Sequence, residues 1–206
     1  QASHWKDDLG IGLMDPTAEP PGGLMMISDL DILAFDVVGW NINRPPTLTS
    51  IATLPGGIED TPLTITYDTL LAASDAADPE GGPIVFLIDS VASGGTLTKN
   101  GVPVTPDVTT LAAGESLTWT PPRDANGNGL LAFSVRAQDE QTAVSMAVNV
   151  RVDVAPVNDA PVADAGGPYV LGIRDRIQLD GSGSFDVDDA ANTLSYFWDY
   201  DNDGQY

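Results

Sequence analysis

Hydrophobic residues recur at two different periods along this chain. Between 47 and 155 the period is close to two. Leu63-Thr64-Ile65-Thr66, Ile84-Val85-Phe86-Leu87-Ile88, Ser116-Leu117-Thr118-Trp119-Thr120 and Leu130–Arg136 are short runs rich in β-branched and aromatic side chains. Such residues fit a pleated, half-buried surface, so each run predicts a strand. In Ala143–Asp153 the alternation places Val144, Met146, Val148, Val150 and Val152 on one face. Gly95–Val104 predicts a hairpin, with Asn100-Gly101 supplying the positive-φ pair that a two-residue turn needs. About seven short strands separated by turn signals predict a β-sandwich with Greek-key connections. Its core is expected to hold Ile65, Phe86, Ile88, Leu97, Leu117, Trp119, Phe133, Val135, Val148 and Val150.

Residues 1–43 follow the other period. Ser28-Asp29-Leu30-Asp31 has the form of a helix N-cap with acids in the first turn. Leu30, Leu33, Ala34, Val37 and Val38 then recur at helical spacing, and Gly39 stops the run. This predicts a short amphipathic helix over 28–38. Asn43-Arg44-Pro45-Pro46-Thr47 is a linker, because consecutive prolines hold the backbone extended. The expected divisions are therefore 1–43, 44–158 and 159–206.

Charge narrows the function classes. The 206 residues carry 30 acidic and 8 basic side chains, a formal net charge of −22. Nucleic acid is excluded as a partner, since phosphate binding needs clustered Lys and Arg. Adsorption to an anionic membrane is disfavoured for the same reason. No apolar run reaches the roughly 20 residues of a membrane-spanning helix. The acids are mostly Asp in Gly/Pro/Asn-rich loops, where they repel one another unless a cation neutralises them. Calcium suits such loops, as a hard ion that takes several oxygen ligands. There are no cysteines, which excludes a disulfide scaffold and a thiolate metal site. With one histidine, neither a Cys/His dyad nor a Ser/His/Asp triad can be assembled beyond His4. The composition fits a secreted or cell-surface bacterial protein.

That histidine lies in Ser3-His4-Trp5, ten positions before Met14 in Leu13-Met14-Asp15-Pro16. A neutral imidazole is a good zinc ligand, and a methionine turn follows the last ligand in one peptidase class. The stretch resembles the end of a metzincin catalytic domain of the leishmanolysin-like branch. The resemblance implies that His4 is the third zinc ligand and Met14 the Met-turn, and that 28–38 is the closing helix of that domain. A working zinc peptidase also needs His-Glu-x-x-His, which this sequence lacks. The sequence is thus read as part of a longer chain, beginning late in a peptidase domain and inactive on its own.

Glu59-Asp60-Thr61-Pro62-Leu63, Leu70-Leu71-Ala72-Ala73-Ser74-Asp75, Trp119-Thr120-Pro121, Asp124-Ala125-Asn126-Gly127-Asn128-Gly129 and Val157-Asn158-Asp159-Ala160-Pro161-Val162 follow in order. They resemble the cadherin-like tandem modules of large bacterial surface proteins, which are Ig-like sandwiches. Glu59, Asp60, Asp75, Asp78, Asp124, Asp139 and Asp159 all fall in loops or at strand ends. The resemblance implies calcium at the pole facing the next module. It favours Glu59, Asp75, Asp78, Asp139 and Asp159 as ligands. The competing reading makes these acids loop solubilisers and Asx turns.

Ala163-Asp164-Ala165-Gly166-Gly167-Pro168-Tyr169, Leu179-Asp180-Gly181-Ser182-Gly183-Ser184 and Tyr196-Phe197-Trp198-Asp199-Tyr200-Asp201 resemble the first half of a PKD domain, another β-sandwich. Leu194–Trp198 is expected to be a strand ending in an acidic turn. Asp186, Asp188, Asp199 and Asp201 are further calcium candidates. Asp199–Gly204 also matches the opening of an EF-hand loop, but no helix precedes it.

The fold class is mainly β: an Ig-like or cadherin-like sandwich, a short helical N-terminal remnant and an incomplete PKD sandwich. The leading functional reading is a piece of a secreted bacterial zinc metallopeptidase with calcium-binding accessory modules. Its partners would be the upstream peptidase domain and a protein or polysaccharide substrate or cell surface. The alternatives are a calcium-dependent surface adhesion or scaffold protein and a carbohydrate-binding accessory module.

Overall fold

The computed structural model describes residues 43–199. The predicted helix at 28–38 lies outside them. The strands are β1 (Leu54–Ile58), β2 (Leu63–Thr66), β3 (Val85–Val91), β4 (Thr96–Lys99), β5 (Val102–Pro103), β6 (Thr110–Leu111), β7 (Ser116–Thr120), β8 (Gly127–Gln138) and β9 (Val148–Ala155). Among the described residues one helix, α1 (Tyr67–Ala73), follows β2. The strands form two sheets, ordered β1-β9-β8-β3-β6 and β2-β7-β4-β5. Pairings are antiparallel except β1 with β9, which run parallel. This is the expected Ig-like sandwich.

The core lies between the sheets. Ile65, Leu97, Leu117 and Trp119 face it from one side; Phe86, Ile88, Leu111, Phe133, Val135, Val150 and Val152 face it from the other. The ladder brings Trp119 between Leu63 and Leu97. It sets Phe86 opposite Leu111 and Ala137. Every residue expected in the core is there, with Val148 packed at its edge. Asn100 and Gly101 form the predicted turn, with φ of 52° and 78°.

Three elements were not expected from the pattern. α1 has only seven residues, too few to establish a helical period. Thr66 caps it by accepting a hydrogen bond from the Thr69 N–H. Tyr67 and Leu70 anchor it in the core, and the Tyr67 hydroxyl donates to the Ile84 carbonyl at 2.9 Å. β1 reads as a turn, because Leu54-Pro55-Gly56-Gly57 contains the strongest breakers. Yet Gly57 is what lets β1 lie against β9. A Cβ there would stand 2.8 Å from the Asp153 carbonyl oxygen and 2.9 Å from Val152 Cγ1. β6 is two residues long and has no period of its own.

The expected strand over Ala143–Asp153 is corrected at its start. The regular ladder begins at Val148, and Val144 meets β8 only through an isolated bridge to Gln138. Ser145 intervenes: its hydroxyl accepts from the Ala137 N–H and donates to the Met146 carbonyl. Met146 is left 83% exposed, not on the apolar face. The strand expected at 194–198 is also absent. Among the described residues beyond β9, pairing is limited to the bridge between Val162 and Phe185. A strand needs a neighbour to receive its N–H and C=O groups. Among the described residues no second apolar layer covers this segment, and Ile173 and Phe197 are 97% and 73% exposed.

Candidate functional site

One pole of the sandwich gathers carboxylates from three segments: the end of β1, the loop before β8 and the chain leaving β9. The parallel β1–β9 pairing ends with the Glu59 N–H donating to the Ala155 carbonyl at 3.0 Å. The Glu59 side chain then turns inward and is 2% exposed. Its two oxygens accept from the Asn126 amide at 3.1 and 3.2 Å, and one also accepts from the Val157 N–H at 3.0 Å. Glu59 therefore ties all three segments together.

Asp60 and Asp124 sit above this tether. Both adopt left-handed backbone, with φ of 52° and 55°, a conformation that Asp tolerates better than most residues. The Asp124 N–H donates to Asp60 Oδ1 at 3.2 Å. Asp159 completes the group. One carboxylate oxygen from each of Asp60, Asp124 and Asp159 lies within 4.8 Å of the others. Asp188 joins the rim by accepting the Asp159 N–H at 2.7 Å. Arg123 reaches Asp124 at 3.4 Å, but its side chain is 88% exposed and screens little. Burial pushes the Asp159 carboxyl above its ordinary pKa, and the charges of Asp124, Asp188, Asp60 and Glu59 add to the shift. A cleft lined by Asp124, Asp159, Asp186, Val162, Phe185 and Val187 opens beside the group.

The other acids suggested by the sequence take different places. Asp75 accepts from the backbone N–H groups of Thr49 and Ser50 and from the Thr49 hydroxyl. Asp78 accepts from the Glu80 N–H at 2.7 Å. Asp139 is 5% exposed and accepts from the Asn43 amide and the Ala143 N–H, both at 2.8 Å. These three pin residues 43–50 and neighbouring turns. Among the described residues, metal-like spacing joins Asp60, Asp124 and Asp159 and does not include them. Asp186 caps its own turn by accepting from the Asp188 and Asp189 N–H groups. Asp199 lies at the end of the described residues, and His4, Met14 and Asp201 lie outside them. Asn126 was not singled out as a tether. Its signal was the Asn-Gly-Asn-Gly run, which marks a turn but not the carboxylate it meets.

The Thr49 hydroxyl, helped by the Ser50 and Thr49 N–H groups, holds the Asp75 carboxyl well below the usual carboxylate range. A depressed folded-state pKa contributes stability above the unfolded-chain value, about 4, and that contribution is lost as pH falls through the folded one. Asp75→Asn should therefore be less stable than the parent at neutral pH. The gap between their urea midpoints should narrow once pH drops below about 4. A gap independent of pH would mean that the carboxylate charge is not what holds Thr49 and Ser50.

Among the described residues no helix is long and apolar enough to cross a membrane. The bacterial Ig domain family matches residues 43–152, the stretch that carries both sheets as far as the middle of β9. No curated protein and no solved structure matches the chain.

Proposed function

The chain belongs to the bacterial Ig domain family, and on that premise we propose that it is an accessory module of an exported protein whose acidic pole binds calcium. The observation that carries the calcium reading is the convergence of Asp60, Asp124 and Asp159. They come from three separated segments, and among the described residues the ion pair made to them is from one exposed arginine, Arg123. Calcium prefers carboxylate and carbonyl oxygens and tolerates irregular geometry, which suits loop ligands. The ion would remove the repulsion from Asp124, Asp188, Asp60 and Glu59 that adds to the effect of burial on the Asp159 carboxyl. Glu59 and Asn126 would hold the ligands in place beforehand. The pole lies where the chain passes from β9 towards residues 160–199, so the ion would stiffen that passage.

The test is thermal unfolding of the full chain in calcium and in chelator. Extracellular calcium modules bind at about 10⁻⁴–10⁻³ M. At about 10 mM calcium the midpoint should rise by roughly 5 °C or more, because the ion binds only the folded state. Asp124→Asn should lose that rise while remaining folded in chelator. No rise in the parent chain, or an equal rise in Asp124→Asn, would remove the assignment.

The parent protein is inferred from sequence motifs on either side of the sandwich. His4-Trp5 and Leu13-Met14-Asp15-Pro16 support a zinc metallopeptidase whose catalytic domain precedes the sandwich. The motifs at 163–169 and 179–184 support a second, PKD-like module after it. The downstream modules would then space or anchor the enzyme on a polymeric substrate or cell surface. Reading the gene upstream of Gln1 decides this. A His-Glu-x-x-His motif supports the peptidase. Further Asn-Asp-Ala-Pro modules in its place would support surface adhesion.

A further inference from the structure

The sequence contains three Asn-Gly steps: Asn100-Gly101, Asn126-Gly127 and Asn128-Gly129. In each, glycine offers the following backbone nitrogen no side-chain shielding. We propose that Asn100 is a site of spontaneous deamidation in the folded chain, and that the fold protects Asn126 and Asn128.

The reaction balances without any co-reactant other than water. The Gly101 backbone nitrogen, once deprotonated by solvent base, attacks Asn100 Cγ. An N–Cγ bond forms, the Cγ–Nδ2 bond breaks and ammonia leaves. Water then opens the resulting succinimide. Attack at Cγ gives aspartate; attack at the backbone carbonyl gives isoaspartate. The product carries one more negative charge, and isoaspartate adds a methylene to the turn backbone.

Three features separate the sites. The first is the nucleophile. Among the described residues the Gly101 N–H makes no hydrogen bond, whereas the Gly129 N–H donates to Asp153 Oδ1 at 2.7 Å. A carboxylate acceptor makes that proton harder to remove. The second is the electrophile. The Asn100 side chain is exposed and makes no hydrogen bond among the described residues, whereas the Asn126 amide is held by both Glu59 oxygens.

The third is the ease of opening. Asn100 sits in a left-handed turn and must leave it to bring Cγ to the glycine nitrogen. Its hairpin arm β5 is a two-residue edge strand, exposed at both positions, joined to β4 by two register pairs. Such an edge opens at small free-energy cost. Asn126 and Asn128 lie at the start of β8. There Gly127 pairs with Val154, and the Gly129 carbonyl accepts from Arg151 at 2.9 Å.

The experiment incubates the chain in mildly alkaline buffer, folded and in urea, and follows each Asn-Gly peptide by mass spectrometry with isoaspartate detection. In urea all three steps should react. In the folded chain Asn100 should react within a few-fold of its urea rate, while the other two slow by at least about tenfold. Glu59→Ala should raise the folded-state rate at Asn126 without changing that at Asn100. Strong protection of Asn100, or folded-state rates at Asn126 and Asn128 equal to their urea rates, overturns the proposal.

Discussion

Replacing Phe86 by alanine is expected to lower the unfolding free energy by about 3–5 kcal/mol. Phe86 is fully buried in β3, paired with Ala137 on one side and Leu111 on the other. Its ring centroid stands 5.7 Å from that of Tyr67, in a tilted arrangement. Truncation loses that contact and leaves a cavity between sheets whose backbone ladders resist collapse. Urea denaturation should show a lower midpoint with an unchanged slope. Phe185→Ala is the natural contrast. Phe185 is 53% exposed outside the sandwich and should change stability by no more than about 0.5 kcal/mol. Equal losses in the two variants would mean that the core does not lie where the sheets place it.

Glu59→Ala should cost about 2–3 kcal/mol, a loss usually reserved for apolar core residues. The removed carboxylate is 2% exposed, and its absence takes the acceptor from the Asn126 amide and the Val157 N–H. Asn126 and Val157 are themselves exposed, so water replaces part of the lost acceptor, and the cost comes mainly from the lost charge-assisted hydrogen bonds and the void left by the buried side chain. Glu59→Gln retains one acceptor oxygen and should lose less. The pair of variants also sorts tether from ligand. If Glu59 only positions Asp60, Asp124 and Asp159, Glu59→Gln keeps a calcium-dependent rise in midpoint. If Glu59 itself binds the ion, that rise is lost. A Glu59→Ala chain as stable as the parent would show that the three segments are held together by something else.

The same residues explain how far reading the chain could go. β2, β3, β7 and the β4–β5 hairpin all stand out because alternation and turn chemistry are local properties. Ile65, Leu117 and Trp119 could be assigned inward before any partner strand was known. β1 could not, since its glycines read as breakers until Gly57 is seen against the Asp153 carbonyl. Met146 misled for the converse reason. It continues the alternation perfectly, but the Ser145 hydroxyl takes the Ala137 N–H and diverts the chain. α1 is too short for a period and depends on its Thr66 cap and the buried Tyr67 and Leu70.

The acids divide in the same way. That they lie in loops and strand ends follows from composition and turn signals. Which of them share a pole does not. Asp60 and Asp159 are 99 positions apart and meet because β1 pairs parallel with β9, carrying both strand ends to the same place. Asp75 and Asp139 look equally suitable as ligands in the sequence, yet each is taken by N–H groups that hold the chain around residues 43–50. By itself, then, the sequence determined which faces turn inward, where the turns fall, and that the loops are acidic. Each of those depends on neighbours a few residues away. The tertiary structure alone decided which acids converge, which side chain tethers them and which asparagine is left unguarded, because those depend on pairing between distant strands.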